Sequence, residues 1–143
     1  MKGTRIVFFG TPEFALKTLD SLHKSFTVSA VVTQPDRPGG RGKKMSPSPV
    51  KLKAQALGIA LFQPAKIRTA EFAAWLQSMA PDFLVTAAYG KILPAKILAV
   101  PRISALNVHA SLLPRWRGAA PIHRAVLAGD CESGITIIEM DEG

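Results

Sequence analysis

Six short apolar segments, separated by helical patterns, constrain the fold of this chain more than any other feature. Most are apolar along their whole length and several are rich in β-branched residues, which is typical of strands that are buried on both faces. The segments are RIVFF (5–9), TVSAVVT (27–33), IALF (59–62), DFLVTAAY (82–89), ISALNVH (103–109) and ITIIEM (135–140).

Helical patterns lie between these segments. The predicted helices follow Pro12, run from Ser48 to Leu57, begin at Thr69, and cover 94–99 and 117–129. Because strands and helices alternate, we expect an α/β fold with a Rossmann-like, doubly wound and mostly parallel sheet that carries helices on both faces. Ligands of such sheets bind beyond the carboxyl ends of the strands.

The length and the apolar pattern are typical of one compact domain, since the chain has 143 residues and no internal repeat or clear linker. It contains no run of 18 apolar residues and no secretory pattern at its start. The single cysteine, Cys131, fits a reducing compartment. We therefore expect a cytoplasmic protein that does not enter a membrane.

The basic residues are concentrated in one part of the chain. The net charge is +8, and the window from Arg37 to Ala70 contains no Asp or Glu. Such a balance predicts an anionic partner such as nucleic acid, while a solvated surface is the alternative. The eight basic residues of this window are Arg37, Arg41, Lys43, Lys44, Lys51, Lys53, Lys66 and Arg68.

The chemistry is expected in the stretch LNVHASLLPRWRG (106–118). Residues two apart in a strand point to the same face, so Asn107 and His109 project together near the carboxyl edge. Their side chains can donate two hydrogen bonds to one developing oxyanion, as acyl transfer requires. A core histidine that bonds to a backbone carbonyl is the alternative. Trp116 is expected either to stack on a base or to pack locally.

The pattern N-x-H-x-S-L-L-P followed by R-x-R-G resembles the signature of the folate-dependent formyltransferases. The resemblance implies that Asn107 and His109 are catalytic, that 10-formyltetrahydrofolate is the formyl donor, and that no metal takes part. It also implies that folate is bound by two segments. These are Ser111, Leu112, Leu113 and Pro114, and the loop after the fourth strand with Tyr89, Gly90, Lys91, Ile92 and Leu93.

Three further stretches are most similar to those family members that formylate the α-amino group of initiator methionyl-tRNA. They are FFGTPEFA (8–15), TQPDRPGGRGKK (33–44) and SPSPVK (46–51). The resemblance implies that Gln34–Pro47 is the basic insertion that contacts tRNA, through Arg37, Arg41, Lys43 and Lys44. Two alternatives stay open: formyl transfer to another amine, and a non-catalytic module that binds folate or RNA.

The resemblance also implies a third catalytic residue, an Asp in a segment like M-D-x-G-L-D-T-G. This chain supplies Met140-Asp141-Glu142-Gly143, so that Asp would follow Gly143 by two residues, and Asp141 is not predicted to be catalytic. We expect residues 1–143 to be a formyltransferase N-terminal catalytic domain, truncated at its end, without a C-terminal OB-like domain and inactive alone. The full-length enzyme is expected to be a monomer.

Overall fold

The structure is a computed structural model that describes residues 3–142. Its strands are β1 (Arg5–Gly10), β2 (Thr27–Val32), β3 (Arg37–Gly39), β4 (Lys44–Ser46), β5 (Leu61–Phe62), β6 (Phe83–Ala87), β7 (Ser104–His109) and β8 (Thr136–Glu139). Its helices are α1 (Leu16–Ser25), α2 (Pro49–Ala56), α3 (Ala70–Ser78), α4 (Ala95–Leu98) and α5 (Pro121–Leu127), and a 3₁₀ turn at Glu13–Ala15 precedes α1.

Six strands form one sheet in the order β5-β2-β1-β6-β7-β8. The pairings from β5 through β7 are parallel, and only β8 runs antiparallel to its neighbour β7. The mostly parallel sheet predicted from the alternation of strands and helices is therefore confirmed. The remaining two strands, β3 and β4, pair with each other in a separate antiparallel hairpin.

Apolar side chains cover both faces of the sheet, as a doubly wound fold requires. Along β1, Val7 and Phe9 point into one cluster while Ile6 and Phe8 point into the other. The first cluster packs against α3 and α4, and the second packs against α1 and α2. Each large side chain that is fully buried in this way contributes roughly 1.5–3 kcal/mol.

The predicted signals at helix ends are confirmed for α2 and α3. The Ser48 hydroxyl accepts a hydrogen bond from the Lys51 amide at 3.0 Å, and the Thr69 hydroxyl accepts one from the Phe72 amide at 3.1 Å. Gly58, just after α2, has a φ of +69°. These caps satisfy backbone groups that a helix end otherwise leaves without partners.

Backbone geometry explains why two of the predicted elements are shorter than expected. The helix predicted over 117–129 begins only at Pro121, because Gly118 and Ala120 have φ angles of +84° and +52°. The strand predicted over 82–89 ends at Ala87, because Ala88 turns the chain with a φ of +51°. Both left-handed turns lie where the chain passes the carboxyl edge of the sheet.

The segment after β2, expected from the resemblance to be a basic insertion, contains the β3–β4 hairpin. Arg37 pairs with Ser46 and Gly39 pairs with Lys44. Gly40 and Gly42 carry the turn with φ angles of +68° and +94°. None of the helices within residues 3–142 is both long and apolar enough to cross a membrane.

Candidate active site

A cavity of about 430 Å³ lies at the carboxyl edge of the sheet, and we call it the edge cavity. Asn107 and His109 both line it, as does the start of α5. Both residues therefore open onto one space, and Val108 between them also borders it. The alternative of an imidazole packed into the closed core, away from any cleft, does not describe His109.

The Asn107 amide is held by the neighbouring strand. Thr86 stands opposite Asn107 in the β6–β7 register, and its hydroxyl donates to Asn107 Oδ1 at 2.8 Å. Because the carbonyl side of the amide is engaged, the amide NH₂ is left to donate. Thr86 is buried, so this contact is protected from competing water. It is a polar residue within an apolar strand, which was the only sequence signal for its role.

His109 is held by the loop that follows β7. Its Nε2 lies 2.9 Å from the backbone carbonyl oxygen of Trp116. A carbonyl only accepts hydrogen bonds, so Nε2 carries a proton, and in the neutral ring Nδ1 is then the basic nitrogen. A backbone carbonyl thus bonds to one ring nitrogen, as the alternative interpretation expected, although the ring still lines the edge cavity.

Trp116 makes local contacts within the chain. Its indole nitrogen donates to Asp130 Oδ2 at 2.6 Å. The guanidinium groups of Arg115 and Arg124 lie 4.5 and 5.2 Å from the ring centroid. Hydrogen bonds from Arg115 and Trp116 lower the pKa of Asp130 to about 2. Asp130 was not predicted from the sequence, because it lies outside the signature.

The loop after β6 lines a second cavity of about 360 Å³, which we call the loop cavity. It shares Ala88, Gly90 and Asn107 with the edge cavity, so the two spaces adjoin at these residues. Its lining includes all the residues predicted for this loop: Tyr89, Gly90, Lys91, Ile92 and Leu93.

Side chains of this loop differ in their surroundings. Ile92 is 82% exposed, whereas Leu93 and Tyr89 are each 3% exposed and belong to the core. Burial raises the pKa of Tyr89 to about 12. The Tyr89 carbonyl accepts bonds from the Thr11 hydroxyl and the Gln34 amide, each at 2.9 Å, which fixes the loop at its start.

The second predicted folate segment, 111–114, occupies a different place. The buried Ser111 hydroxyl donates to the Arg115 carbonyl at 2.8 Å, and the Leu113 amide donates to the Thr136 hydroxyl at 3.2 Å. Leu112 lines a separate cavity beside Trp116. Ser111, Leu112, Leu113 and Pro114 are not among the residues that line the edge cavity or the loop cavity.

The β3–β4 hairpin presents the predicted cationic residues. Arg41, Lys43 and Lys44 are exposed, and no ion pair to them occurs within the described residues 3–142. Arg37 differs, because its guanidinium donates to the Gln34 side-chain carbonyl at the root of the hairpin. A tRNA phosphate that contacted Arg37 would therefore compete with Gln34 for the guanidinium.

A network of polar side chains at that root was missed by the sequence prediction. Asp36 accepts bonds from Lys51 at 2.8 Å and from Gln63 at 2.9 Å. Hydrogen bonds from Lys51 and Gln63 lower the pKa of Asp36. The network joins the hairpin to α2 and to the segment after β5, so the hairpin root is fixed while its tip projects outward.

More positive charge lies beside the loop cavity. Lys66, Arg68 and Lys91 line an adjoining cavity of about 430 Å³, which shares Lys91 and Ile92 with the loop cavity. Of the eight basic residues of the 37–70 window, Arg41, Lys43 and Lys44 thus lie at the hairpin tip, and Lys66 and Arg68 lie here. In the described part of the chain, no three His, Cys, Asp or Glu side chains come together in a group that could hold a metal ion.

The sequence matches the family described as formyl transferase over residues 4–143. The chain belongs to the formyl transferase family. This result confirms the resemblance drawn from the N-x-H-x-S-L-L-P segment.

Two relatives are identical to this chain at more than half of the aligned residues. The methionyl-tRNA formyltransferase of Aromatoleum aromaticum is 61% identical over 140 residues, which cover 97% of this chain and 44% of that protein. The enzyme of the same name from Marinobacter nauticus is 56% identical over 142 residues, covering 97% and 45%. This chain thus spans less than half the length of the curated relatives it matches.

Solved structures of low sequence identity share the fold. The phosphoribosylglycinamide formyltransferase of Streptococcus pneumoniae has a TM-score of 0.76 and is 24% identical, covering 100% of this chain and 76% of that one. A formyltetrahydrofolate deformylase from Pseudomonas syringae has a TM-score of 0.74 at 21% identity, covering 100% and 47%. The Rossmann-like fold class predicted from the sequence is confirmed.

Proposed function

We propose that this chain is the catalytic part of an enzyme that transfers a formyl group from 10-formyltetrahydrofolate to the α-amino group of initiator methionyl-tRNA. The observation that carries the proposal is that Asn107 and His109, two residues apart in β7, both line the edge cavity. The identity of 61% and 56% to two proteins named methionyl-tRNA formyltransferase supports the choice of acceptor.

In the proposed reaction the neutral amine attacks the formyl carbon and gives a tetrahedral intermediate with a negatively charged oxygen. The Asn107 NH₂, left to donate by the bond from Thr86, stabilises that oxygen. One such donor typically contributes a factor of about 10²–10³ in rate. The intermediate then expels the folate nitrogen and leaves the formyl group on the amine.

One proton must move for this exchange to balance. The attacking nitrogen becomes cationic and must lose a proton, while the departing folate nitrogen must gain one. An imidazole can both accept and donate a proton, and the His109 ring lines the edge cavity and is fixed by the Trp116 carbonyl, so we assign the proton transfer to it.

For the formyl donor, we propose that the pterin binds in the loop cavity formed by Tyr89–Leu93. Folate ends in a glutamate whose carboxylates are negative at neutral pH. The cations of the adjoining cavity, Lys66, Arg68 and Lys91, suit those carboxylates. The meeting of the two named cavities at Asn107 supports an arrangement with the formyl group between them.

For the acceptor, we propose that the hairpin tip contacts phosphates of the tRNA. Arg41 and Lys43 are exposed in the turn and Lys44 is exposed at the start of β4, and the hairpin root is tied to the loop that begins at Tyr89. Phosphate contacts release counterions, so affinity should fall with salt.

The experiment that tests the proposal uses the complete polypeptide encoded by the reading frame that carries this chain. Formyl transfer from 10-formyltetrahydrofolate is measured with initiator methionyl-tRNA, glycinamide ribonucleotide, an amino-sugar nucleotide and water as acceptors. Preference for methionyl-tRNA supports the proposal, and preference for another acceptor contradicts it. Folate binding without any turnover favours the non-catalytic module.

A further inference from the structure

A chain of contacts leads from His109 to a carboxylate that the signature does not include. His109 Nε2 bonds to the Trp116 carbonyl at 2.9 Å, and the Trp116 indole bonds to Asp130 at 2.6 Å. Asp130 follows α5, and its own amide donates to the Ala125 carbonyl at 3.0 Å. The carboxylate is thus attached to the end of a helix, while the groups it holds lie in an irregular loop.

We propose that Asp130 is a positioning residue for His109, acting through Trp116 to fix which ring nitrogen carries the proton. The inference rests on the proposed function for its catalytic consequence only. The effect on the histidine ring itself is independent of any substrate.

Asp130 is well placed to fix the loop, because each of its oxygens accepts a bond. Oδ2 accepts from the Trp116 indole at 2.6 Å and from Arg115 Nε at 2.9 Å, and Oδ1 accepts from Arg115 Nη2 at 2.6 Å. Such charge-assisted, two-pronged pairs are among the strongest hydrogen bonds in proteins. The Asp130 side chain is 13% exposed, which limits competition from water.

Trp116 needs such an anchor because its backbone is in an unfavourable conformation. Its φ is +59°, in the left-handed region that is unfavourable for a residue with a Cβ. The cation–π contacts from Arg115 and Arg124 and the bond to Asp130 offset this cost. Without them, the peptide that points its carbonyl at His109 is expected to relax.

The consequence for His109 concerns its tautomer. With the Trp116 carbonyl in place, the neutral ring carries its proton on Nε2 and leaves Nδ1 basic. If the peptide relaxes, Nε2 loses its acceptor and both tautomers become populated. The fraction of molecules with the nitrogen required for proton transfer then falls, and kcat falls with it.

The test compares Asp130→Ala and Trp116→Phe with the control Glu132→Ala, all in the complete polypeptide. Trp116→Phe keeps an aromatic ring but removes the indole donor. Glu132 lines the same cavity as Asp130 and carries the same charge, but it makes no bond to Trp116 or Arg115 among those described. The conservative variant Asp130→Asn keeps an acceptor for the indole.

The readout is the pair of ¹⁵N chemical shifts of the His109 ring, assigned with His109→Gln, together with kcat, KM and circular dichroism. Asp130→Ala and Trp116→Phe are expected to move the ring toward a mixture of tautomers and to lower kcat about tenfold. KM for tRNA should change less than twofold. Glu132→Ala should leave both readouts unchanged, and Asp130→Asn should keep kcat within about threefold of wild type.

Two results would overturn the inference. One is a His109 ring that stays on the Nε2–H tautomer in folded Asp130→Ala and Trp116→Phe. The other is a tautomer shift that leaves kcat unchanged in a protein with confirmed formyl transfer. A tautomer shift in a protein that transfers no formyl group overturns the proposed function but supports the positioning of His109 by Asp130.

Discussion

The two parts of the molecule that we assign to function are built in opposite ways. Around Asn107 and His109, each side chain that matters is bonded to a partner within the chain, namely Thr86 and the Trp116 carbonyl. At the hairpin tip, Lys43 lies in the turn and Lys44 begins a strand of three residues, and both are exposed. The first region fixes directions of hydrogen bonds, whereas the second supplies charge.

This difference follows from the physics of the two tasks. Stabilising a developing oxyanion requires hydrogen-bond donors whose orientation is set before the reaction. The side chains that donate are therefore ordered when the protein folds. Attraction of a polyanion depends on the number of cations and on salt, and tolerates a mobile backbone. The loop after β6 and the hairpin are linked through Gln34, which bonds to both Arg37 and the Tyr89 carbonyl.

The largest expected effect comes from Asn107→Ala, which removes the donor from the edge cavity. We expect kcat for formyl transfer by the complete polypeptide to fall about 10²–10³-fold, because the oxyanion loses one preorganised donor. The unfolding midpoint should change little, since the side chain is only partly buried. His23→Ala, an exposed histidine on α1, is the matched control for a polar residue outside the site. A loss of less than threefold at Asn107 would contradict the assigned role.

The next effect tests the junction between the two regions. A Cβ at Gly90 would collide with the Gln34 amide, and the residue has a φ of +90°. Gly90→Ala should therefore destabilise the fold by about 2–4 kcal/mol, combining backbone strain and overpacking. Gly58→Ala, at a φ of +69° with open space around it, should show only the strain of about 1–2 kcal/mol. Equal losses in urea unfolding would show that the Gln34 contact does not matter.

A smaller effect is expected at the hairpin. Replacing Arg41 and Lys43 with Ala should weaken tRNA binding about tenfold at low salt. The fall of log affinity with log salt should become shallower, with a slope smaller in magnitude by about 1.4–1.8. The double variant Lys17→Ala and Lys24→Ala removes the same charge from exposed positions on α1. If both double variants weaken binding equally, net charge rather than the hairpin attracts the tRNA.

The smallest expected effect is on the stability of the fold at low pH. Hydrogen bonds from Arg115 and Trp116 hold the pKa of Asp130 at about 2, below its ordinary value near 4. A lowered folded-state pKa means that the stabilisation is complete above about pH 4 and is lost as the pH falls toward about 2. Asp130→Asn should therefore flatten the loss of stability between pH 4 and 2, measured by urea unfolding. An unchanged pH profile would contradict a strong clamp at Asp130.

Much of the fold could be predicted because it depends on repeated, local signals. The strand at 5–9 sends alternate residues into two apolar clusters, and Ser48 and Thr69 cap the helices that follow them. The antiparallel direction of β8 could not be predicted, since an edge strand carries no pattern that distinguishes its direction. The late start of α5 depends on the left-handed backbone at Ala120, a residue without turn preference.

At the site, the sequence identified the residues with unusual chemistry but not their supports. Asn107 and His109 stand in a recognisable spacing, whereas Thr86 and Asp130 become relevant only when strands and loops meet in space. The prediction that 111–114 bind folate, and the prediction of a further catalytic Asp after Gly143, stay predictions. Arg37 was expected to contact tRNA, but its guanidinium donates a hydrogen bond to Gln34 within the chain.

The most direct measurement is a structure of the complete polypeptide with the stable analogue 5-formyltetrahydrofolate. The account predicts a pterin ring in the loop cavity, beside Tyr89–Leu93. It predicts a formyl oxygen within about 3.2 Å of Asn107 Nδ2, the upper end of an N–H···O bond, with the His109 ring on the same side. A folate bound elsewhere, with its formyl group out of reach of both side chains, would contradict it.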